Sequence, residues 1–125
     1  MEKKIVLSKD VDPTKMMFSP GVCAGELLFT SGNAGINKDG TVSEGVEAQA
    51  RQCFELLGEV LEAAGSSWDK VVKVNCFLTH PKRDFPGWNK VWKEYFPTNP
   101  PARTTVGSSL LNRVWLLEVE LIAIV

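Results

Sequence analysis

The sequence predicts an α+β fold in which two helices pack on one face of a mixed β-sheet. Residues 43–65 repeat their apolar side chains at helical spacing, and residues 84–97 do the same over a shorter length. The segments around them alternate apolar and polar residues or are rich in β-branched residues, as strands are. The predicted order is β-β-α-β-α-β-β within one domain, residues 1–125, and the uncovered sheet face then needs a second copy of the chain.

The first two predicted strands surround a turn. The segment GELLFTSGNAGINKDGTV contains an apolar run over residues 27–30, a stretch punctuated by glycine, and a turn signal from Asn37 to Gly40. This pattern predicts a β-hairpin.

Both helices carry recognisable end signals. Ser43 is predicted to cap the first helix, Glu44 to favour its dipole, and Gly65 to end it. Asp84 is predicted to cap the second helix, with Pro86 in its first turn.

Three further strands are predicted at residues 70–79, 102–106 and 115–125. Side chains alternate between the two faces of a strand, so in the last one Glu118 and Glu120 share a face that is otherwise apolar. By the same rule Arg103 shares a face with Thr105.

The charge and composition exclude several classes of function. Fourteen basic and fifteen acidic residues give a net charge of -1, which argues against nucleic acid and anionic membranes as partners. No segment approaches the roughly 20 apolar residues of a membrane span, and no signal peptide is visible, so a cytoplasmic location is predicted. The 125-residue length favours an oligomer that covers apolar surface.

Cysteine and histidine usage argues against a metal centre. Cys23, Cys53 and Cys76 are widely spaced among apolar neighbours and are predicted to be buried, reduced thiols. The only histidine, His80, lies in a predicted loop. A Cys/His zinc site and a histidine-dependent hydrolase triad are therefore disfavoured.

Arg103 follows a Pro-Pro-Ala step at the head of a strand. Its guanidinium offers a rigid fork that matches a carboxylate through two parallel hydrogen bonds. Spacing alone leaves an alternative open, in which Arg103 pairs with Glu118 or Glu120 or is an ordinary surface arginine.

The chain contains, in this order, the segments FTSGNAG, EAQARQCFELLGEVLEAAGSSWDKVVKVNCFLT, PARTTVG and LLEVELIAIV. Together these segments resemble the reactive intermediate deaminase family, also called the YjgF or Rid family. The resemblance begins at about Phe18. It implies a chorismate-mutase-like fold and a homotrimer with active sites between subunits. It also implies hydrolysis of 2-aminoacrylate-type enamines and 2-imino acids to 2-keto acids and ammonia.

The resemblance assigns roles to individual residues. The family's substrate-binding arginine falls on Arg103, its water-positioning glutamate on Glu118, its cleft serine-glycine step on Ser31 and Gly32, and its helix asparagine on Asn89. The ordinary alternatives are turn residues for the serine and glycine, and a solvated helix residue for the asparagine.

Two positions depart from the family pattern. Phe18 stands where archetypal members have a cleft tyrosine, and Thr105 where they have a cysteine. These changes leave the arginine intact and bear on the substrate, for which a larger, less polar enamine is one variant. Phe18, Trp88 and Trp92 also fit core or subunit contacts.

The implied reaction needs neither metal nor organic cofactor, because a protonated imine is already electrophilic. Arg103 would bind the carboxylate of the substrate and Glu118 would orient the attacking water. If Glu118 lay close to Arg103, its ionised form would be favoured. Two other functions stay open: a single-strand endoribonuclease or translation inhibitor, and a non-catalytic trimeric protein that binds small carboxylates or acts as a holdase.

Overall fold

The computed structural model describes residues 1–125 as one mixed seven-stranded sheet with two helices on one face, which confirms the α+β prediction. The strand order is β1-β2-β3-β7-β5-β6, and β4 pairs with the first residues of β7. Strands β5 and β6 are parallel, because α2 carries the chain from one to the other. The elements are β1 Lys3–Val6, β2 Gly21–Ala24, β3 Leu27–Thr30, β4 Asn33–Ala34, α1 Val46–Ala63, a 3₁₀ turn Trp68–Lys70, β5 Val71–Leu78, α2 Pro81–Tyr95, β6 Ala102–Gly107 and β7 Leu117–Ile124.

Helix α1 begins later than predicted. Gly45 has a left-handed φ of 86° and no side chain caps the helix. The Ser43 cap is therefore wrong: its hydroxyl accepts a hydrogen bond from Asn37 Nδ2 at 3.2 Å. Glu44 also lies outside the first turn, where Glu47 is the acidic residue. Gly45, with its positive φ, separates Ser43 and Glu44 from Val46, the first residue of the helix.

The end of α1 is as predicted, and the start of α2 is not. Gly65 has φ 77° and follows the helix, and Ser66 N donates to Leu61 O at 2.8 Å. Helix α2 begins at Pro81, so Asp84 is not a cap but a buried residue of the first turn, paired with Arg83 at 2.9 Å.

The predicted hairpin exists only in part. The turn closes, with Gly40 N donating to Asn37 O at 2.9 Å, but it supports a single bridge between Ile36 and Val42. Strand β3 instead pairs with β2 and β7. The two N-terminal strands, β1 and β2, were not predicted.

The core fills the space between the helices and the sheet. Phe54 of α1 lies at its centre, stacked on Trp88 and Tyr95. The alternation predicted for the last strand is confirmed, since its buried side chains are Leu117, Val119, Leu121 and Ala123. The three cysteines are buried and free, as predicted. No helix is long and apolar enough to cross a membrane.

The other face of the sheet is uncovered and apolar. Leu27 and Phe29 on β3 lie opposite Ile124 and Ile122 on β7, and Ile5 continues the stripe on β1. Four of these five side chains are roughly two-fifths exposed, between 39% and 44%. A contiguous apolar surface of this kind is typical of an interface.

One buried side chain joins α1 to the entry of β7. Gln49, 2% exposed, donates through Nε2 to Ser43 O and Val114 O, and its Oε1 accepts from Leu116 N at 2.8 Å. This triple contact, the Gln49 clamp, positions the loop 108–116 that precedes β7.

Candidate functional site

Arg103 lies on the covered face of the sheet, beneath α2. It is paired in register with buried Val74 of β5, and side chains of paired residues share a face. Its Nη1 donates to Asn89 Oδ1 at 2.8 Å, and its guanidinium carbon lies 4.7 Å from the Trp92 ring centre and 5.5 Å from that of Phe85. Aromatic faces stabilise a cation in this position. The guanidinium is therefore held in a defined place.

No carboxylate of the chain pairs with Arg103. Within a single chain, the alternative of an ion pair with Glu118 or Glu120 is thus wrong. Only one of its five N–H donors is used by the protein, and a cleft of about 450 Å³ opens beside it. The cleft is lined by Pro86, Asn89, Lys90, Trp92, Lys93 and Arg103. This arrangement can accept a small carboxylate.

Thr105 shares the face of Arg103, as the alternation predicts. Its hydroxyl oxygen is buried and lies beside Cys76 in the strand register. Burial raises the pKa of the Cys76 thiol to about 12, so this cysteine stays protonated at neutral pH. An unreactive thiol beneath the arginine is a packing group and not a nucleophile.

Glu118 lies on the opposite face of the sheet from Arg103. It pairs with Phe77 of β5, which alternates with the buried residues of that strand. Partial burial, and then the charge of Glu120, raise the pKa of Glu118. The condition under which the ionised carboxylate is expected, a nearby Arg103, is not met within a single chain, because the sheet separates the two groups.

A second cleft, of about 310 Å³, opens in front of Glu118. Its lining combines the two carboxylates with a glycine, an aromatic ring and the β6–β7 loop: Gly32, Phe77, Ser108, Ser109, Leu110, Leu111, Glu118 and Glu120. A Cβ on Gly32 would lie 2.5 Å from Glu118 Oε1. Glycine thus permits the carboxylate to rest against the backbone of this segment.

Gly32 also borders a third cleft, of about 510 Å³, shared with Phe18 and Ser31. Phe18 is 69% exposed, and the Ser31 hydroxyl donates to Ser19 O at 2.6 Å. In this chain the hydroxyl therefore fixes the N-terminal segment that carries Phe18. The structure brings Phe18, Ser31, Gly32 and Glu118 into one continuous group, apart from Arg103, Asn89 and Thr105.

Sequence reasoning missed the supports of the arginine. The sequence indicates no role for Phe85, and the predicted core position of Trp92 is confirmed by its 8% exposure, but the contact of both rings with the guanidinium is not predicted. The signal was available, since residues 85, 89 and 92 recur at steps of three and four along one helical face.

No group of three or more His, Cys, Asp or Glu side chains is placed to hold a metal ion.

Comparison with known proteins gives consistent matches. A family model described as endoribonuclease L-PSP matches residues 10–125. The mitochondrial protein mmf2 of Schizosaccharomyces pombe is 44% identical over 110 residues, covering 85% of this chain and 86% of the relative. A Dermatophagoides farinae protein named 2-iminobutanoate/2-iminopropanoate deaminase is 34% identical over 128 residues, covering 100% and 99%. The crystal structure of yeast Mmf1 matches with a TM-score of 0.88 at 31% identity, covering 98% of each chain.

Proposed function

Because the chain belongs to the endoribonuclease L-PSP family, also called the YjgF or Rid family, we propose that it is an imine deaminase. It hydrolyses 2-imino acids and their enamine tautomers, of the 2-iminopropanoate and 2-aminoacrylate type, to 2-keto acids and ammonia. The observation that carries the proposal is Arg103, a positioned guanidinium without a carboxylate partner in the chain. The name of the Dermatophagoides farinae relative supports the same reaction.

The active site is proposed to form between two copies of the chain. Arg103 and Glu118 lie on opposite faces of one sheet, so one chain cannot present both to a small substrate. A second copy that brings its Glu118 to the cleft of Arg103 completes the site. A homotrimer is the proposed assembly, and the apolar stripe on the open face supports it because that surface requires a cover.

In the proposed mechanism, the substrate carboxylate binds the Arg103 fork while Asn89 keeps the guanidinium in place. This binding fixes the C=N carbon next to a water that contacts Glu118 of the neighbouring copy. Fixing the reactants in this way removes much of the entropic cost of bringing them together.

Glu118 then accepts a proton from the water while the water oxygen bonds to the imine carbon. The π electrons of the protonated C=N bond move to nitrogen, and a neutral tetrahedral adduct forms. Protonated Glu118 returns its proton to this nitrogen; the C–N bond then breaks and ammonia leaves, while the hydroxyl of the adduct gives its proton back to Glu118 and becomes the carbonyl of the keto acid. Partial burial and Glu120 raise the pKa of Glu118 in a single chain, and the neighbouring Arg103 would lower it again in the assembled site, which favours a carboxylate that orients the water and accepts its proton.

The reaction can be tested by measuring ammonia released from 2-iminopropanoate generated in situ by an amino acid oxidase. We expect the wild-type chain to accelerate release and Arg103→Ala to abolish the acceleration. Arg103→Lys should recover little, because an ammonium lacks the bidentate fork. Arg113→Ala, at an exposed loop position, is the matched control. Full activity in Arg103→Ala would contradict the proposal.

The description of the family model favours one other candidate, a single-strand endoribonuclease. The net charge of -1 argues against tight RNA binding. Cleavage of single-stranded RNA by wild type and Arg103→Ala at several salt concentrations separates the two functions: cleavage that is lost with the arginine and weakens with salt supports the nuclease.

A cytoplasmic location is also part of the proposal, supported by the three free, buried cysteines. The S. pombe relative is named as mitochondrial, so cell fractionation is the appropriate test.

A further inference from the structure

The cleft beside Arg103 carries more positive charge than one carboxylate requires. Its lining contains three cationic side chains, Arg103, Lys90 and Lys93, and no acidic one. Asn89, which holds the guanidinium, is neutral. A ligand with a single carboxylate would leave this excess uncompensated.

The acidic residues nearby are already engaged elsewhere. Glu47 contacts Lys90 at 3.2 Å and Arg51 at 3.8 Å. Glu94 accepts two hydrogen bonds from Arg51, at 3.1 and 2.6 Å, and this arginine lowers the pKa of Glu94. Lys93 forms no salt bridge in the chain. The cleft therefore contains one arginine and one lysine without acidic partners.

Helix α2 places Lys93 beside Arg103 of β6. Asn89 and Lys93 are four residues apart on α2, so their side chains are neighbours on one helical face. Since Asn89 contacts Arg103 directly, the flexible ammonium of Lys93 reaches the space next to the arginine. The cleft of about 450 Å³ has room for an acid longer than a three-carbon one.

We infer that Lys93 forms a second anion subsite beside Arg103, which makes 2-imino dicarboxylic acids the preferred substrate class. The statement that these acids are substrates rests on the proposed function, whereas the binding of dicarboxylates by Arg103 and Lys93 does not. The α-carboxylate binds the Arg103 fork, and a carboxylate one or two methylenes further along binds Lys93. The same subsite accepts the dicarboxylic keto acid product.

The test compares two stable keto acids of equal chain length, 2-oxoglutarate and 2-oxopentanoate, which differ in a terminal carboxylate against a methyl group. Their dissociation constants are measured by calorimetry with the wild-type chain and with Lys93→Gln. Lys82→Gln, an exposed lysine on the same helix without a salt bridge, is the control.

We expect wild type to bind 2-oxoglutarate about 1.5-fold to fivefold more tightly than 2-oxopentanoate, the range of an exposed ion pair. Lys93→Gln should reduce this ratio to about one and leave 2-oxopentanoate binding unchanged, while Lys82→Gln keeps the wild-type ratio. Added salt should weaken 2-oxoglutarate binding more than 2-oxopentanoate binding.

A wild-type ratio of one or less, a ratio that survives Lys93→Gln, or failure of both keto acids to bind would overturn the inference. The outcome is separable from that of the proposed function. If the chain hydrolyses 2-iminopropanoate but shows no preference for dicarboxylates, only the Lys93 subsite is contradicted. If 2-oxoglutarate is preferred in a Lys93-dependent way but no ammonia is released, only the proposed deaminase activity is contradicted.

Discussion

The two sides of the sheet hold the candidate residues in different ways. On the covered side, Arg103 is fixed by one hydrogen bond and two aromatic rings, and no acidic group neutralises it. On the open side, Glu118 is defined by partial burial and by a like charge, Glu120, with no cation in its cleft. Separating the charges in this way keeps each one available, because a guanidinium and a carboxylate on one face would pair with each other.

The strongest test of the comparison changes only the open side. Glu118→Gln should reduce kcat for 2-iminopropanoate by about 10²- to 10⁴-fold, the usual contribution of a general base. Binding of pyruvate, measured by calorimetry, should change little because Arg103 is untouched. A comparable loss of pyruvate binding would show that the two sides do not have separate tasks.

The same variant also has an expected effect on stability. The folded pKa of Glu118 is raised, so its stabilising contribution is present below the unfolded pKa and is lost as pH rises through the folded value. For the dissociated single chain at pH 7, Glu118→Gln should therefore raise the urea midpoint slightly.

Mixing two inactive variants tests whether the sides meet between copies. Arg103→Ala and Glu118→Gln chains, unfolded and refolded together, should regain about a quarter of wild-type activity, because each site in a closed ring takes its residues from two chains. Refolding each variant alone is the control. Activity that does not rise above the single variants would contradict an inter-subunit site.

A smaller effect is expected from loosening the covered side. Asn89→Ala removes the hydrogen bond to Arg103 Nη1 and should raise KM about tenfold, the value of one hydrogen bond to a charged group. Asn89→Asp should weaken binding further, since the new carboxylate would occupy the guanidinium. An unchanged KM in both variants would mean that the asparagine does not position the arginine.

The smallest expected effect concerns the like charge on the open side. Glu120→Gln should lower the pKa of Glu118 and move the acidic limb of the kcat profile to lower pH, because the ionised base then persists further into acid. No other titratable group faces Glu118 from strand β4, from residues 75 and 77 of β5 or from loop residues 108–111. Asn75 Nδ2 donates a hydrogen bond to Glu120 at 3.1 Å. Glu26→Gln, at an exposed turn, is the control, and an acidic limb that stays in place would contradict the coupling.

Sequence periodicity predicted the parts of the fold that are long enough to show it. Helix α1 and the long strand β7 span several repeats of their period, so their faces were assigned correctly, whereas an irregularity between Val71 and Lys73 shifts the alternation at the start of β5. Strands β1 and β2 have four residues each, and their pairing depends on contacts that no local pattern records. The early start of α2 was missed because a His-Pro step is common to turns and to first helical residues.

The candidate site shows a similar division. Alternation predicted that Arg103 shares a face with Thr105, and Glu118 with Glu120. It did not predict that the two pairs lie on opposite faces, because that relation depends on how β5 aligns with both β6 and β7. A one-residue change of register would have reversed it.

The Gln49 clamp ties the entry of β7 to helix α1. Because its amide binds Val114 O and Leu116 N, substitutions at residues 108–111 leave these anchoring contacts in place. The side chains beside Glu118 can then change without moving the strand that carries it. The helix that supplies the clamp acts as a fixed reference for chemistry to which it contributes no reacting group.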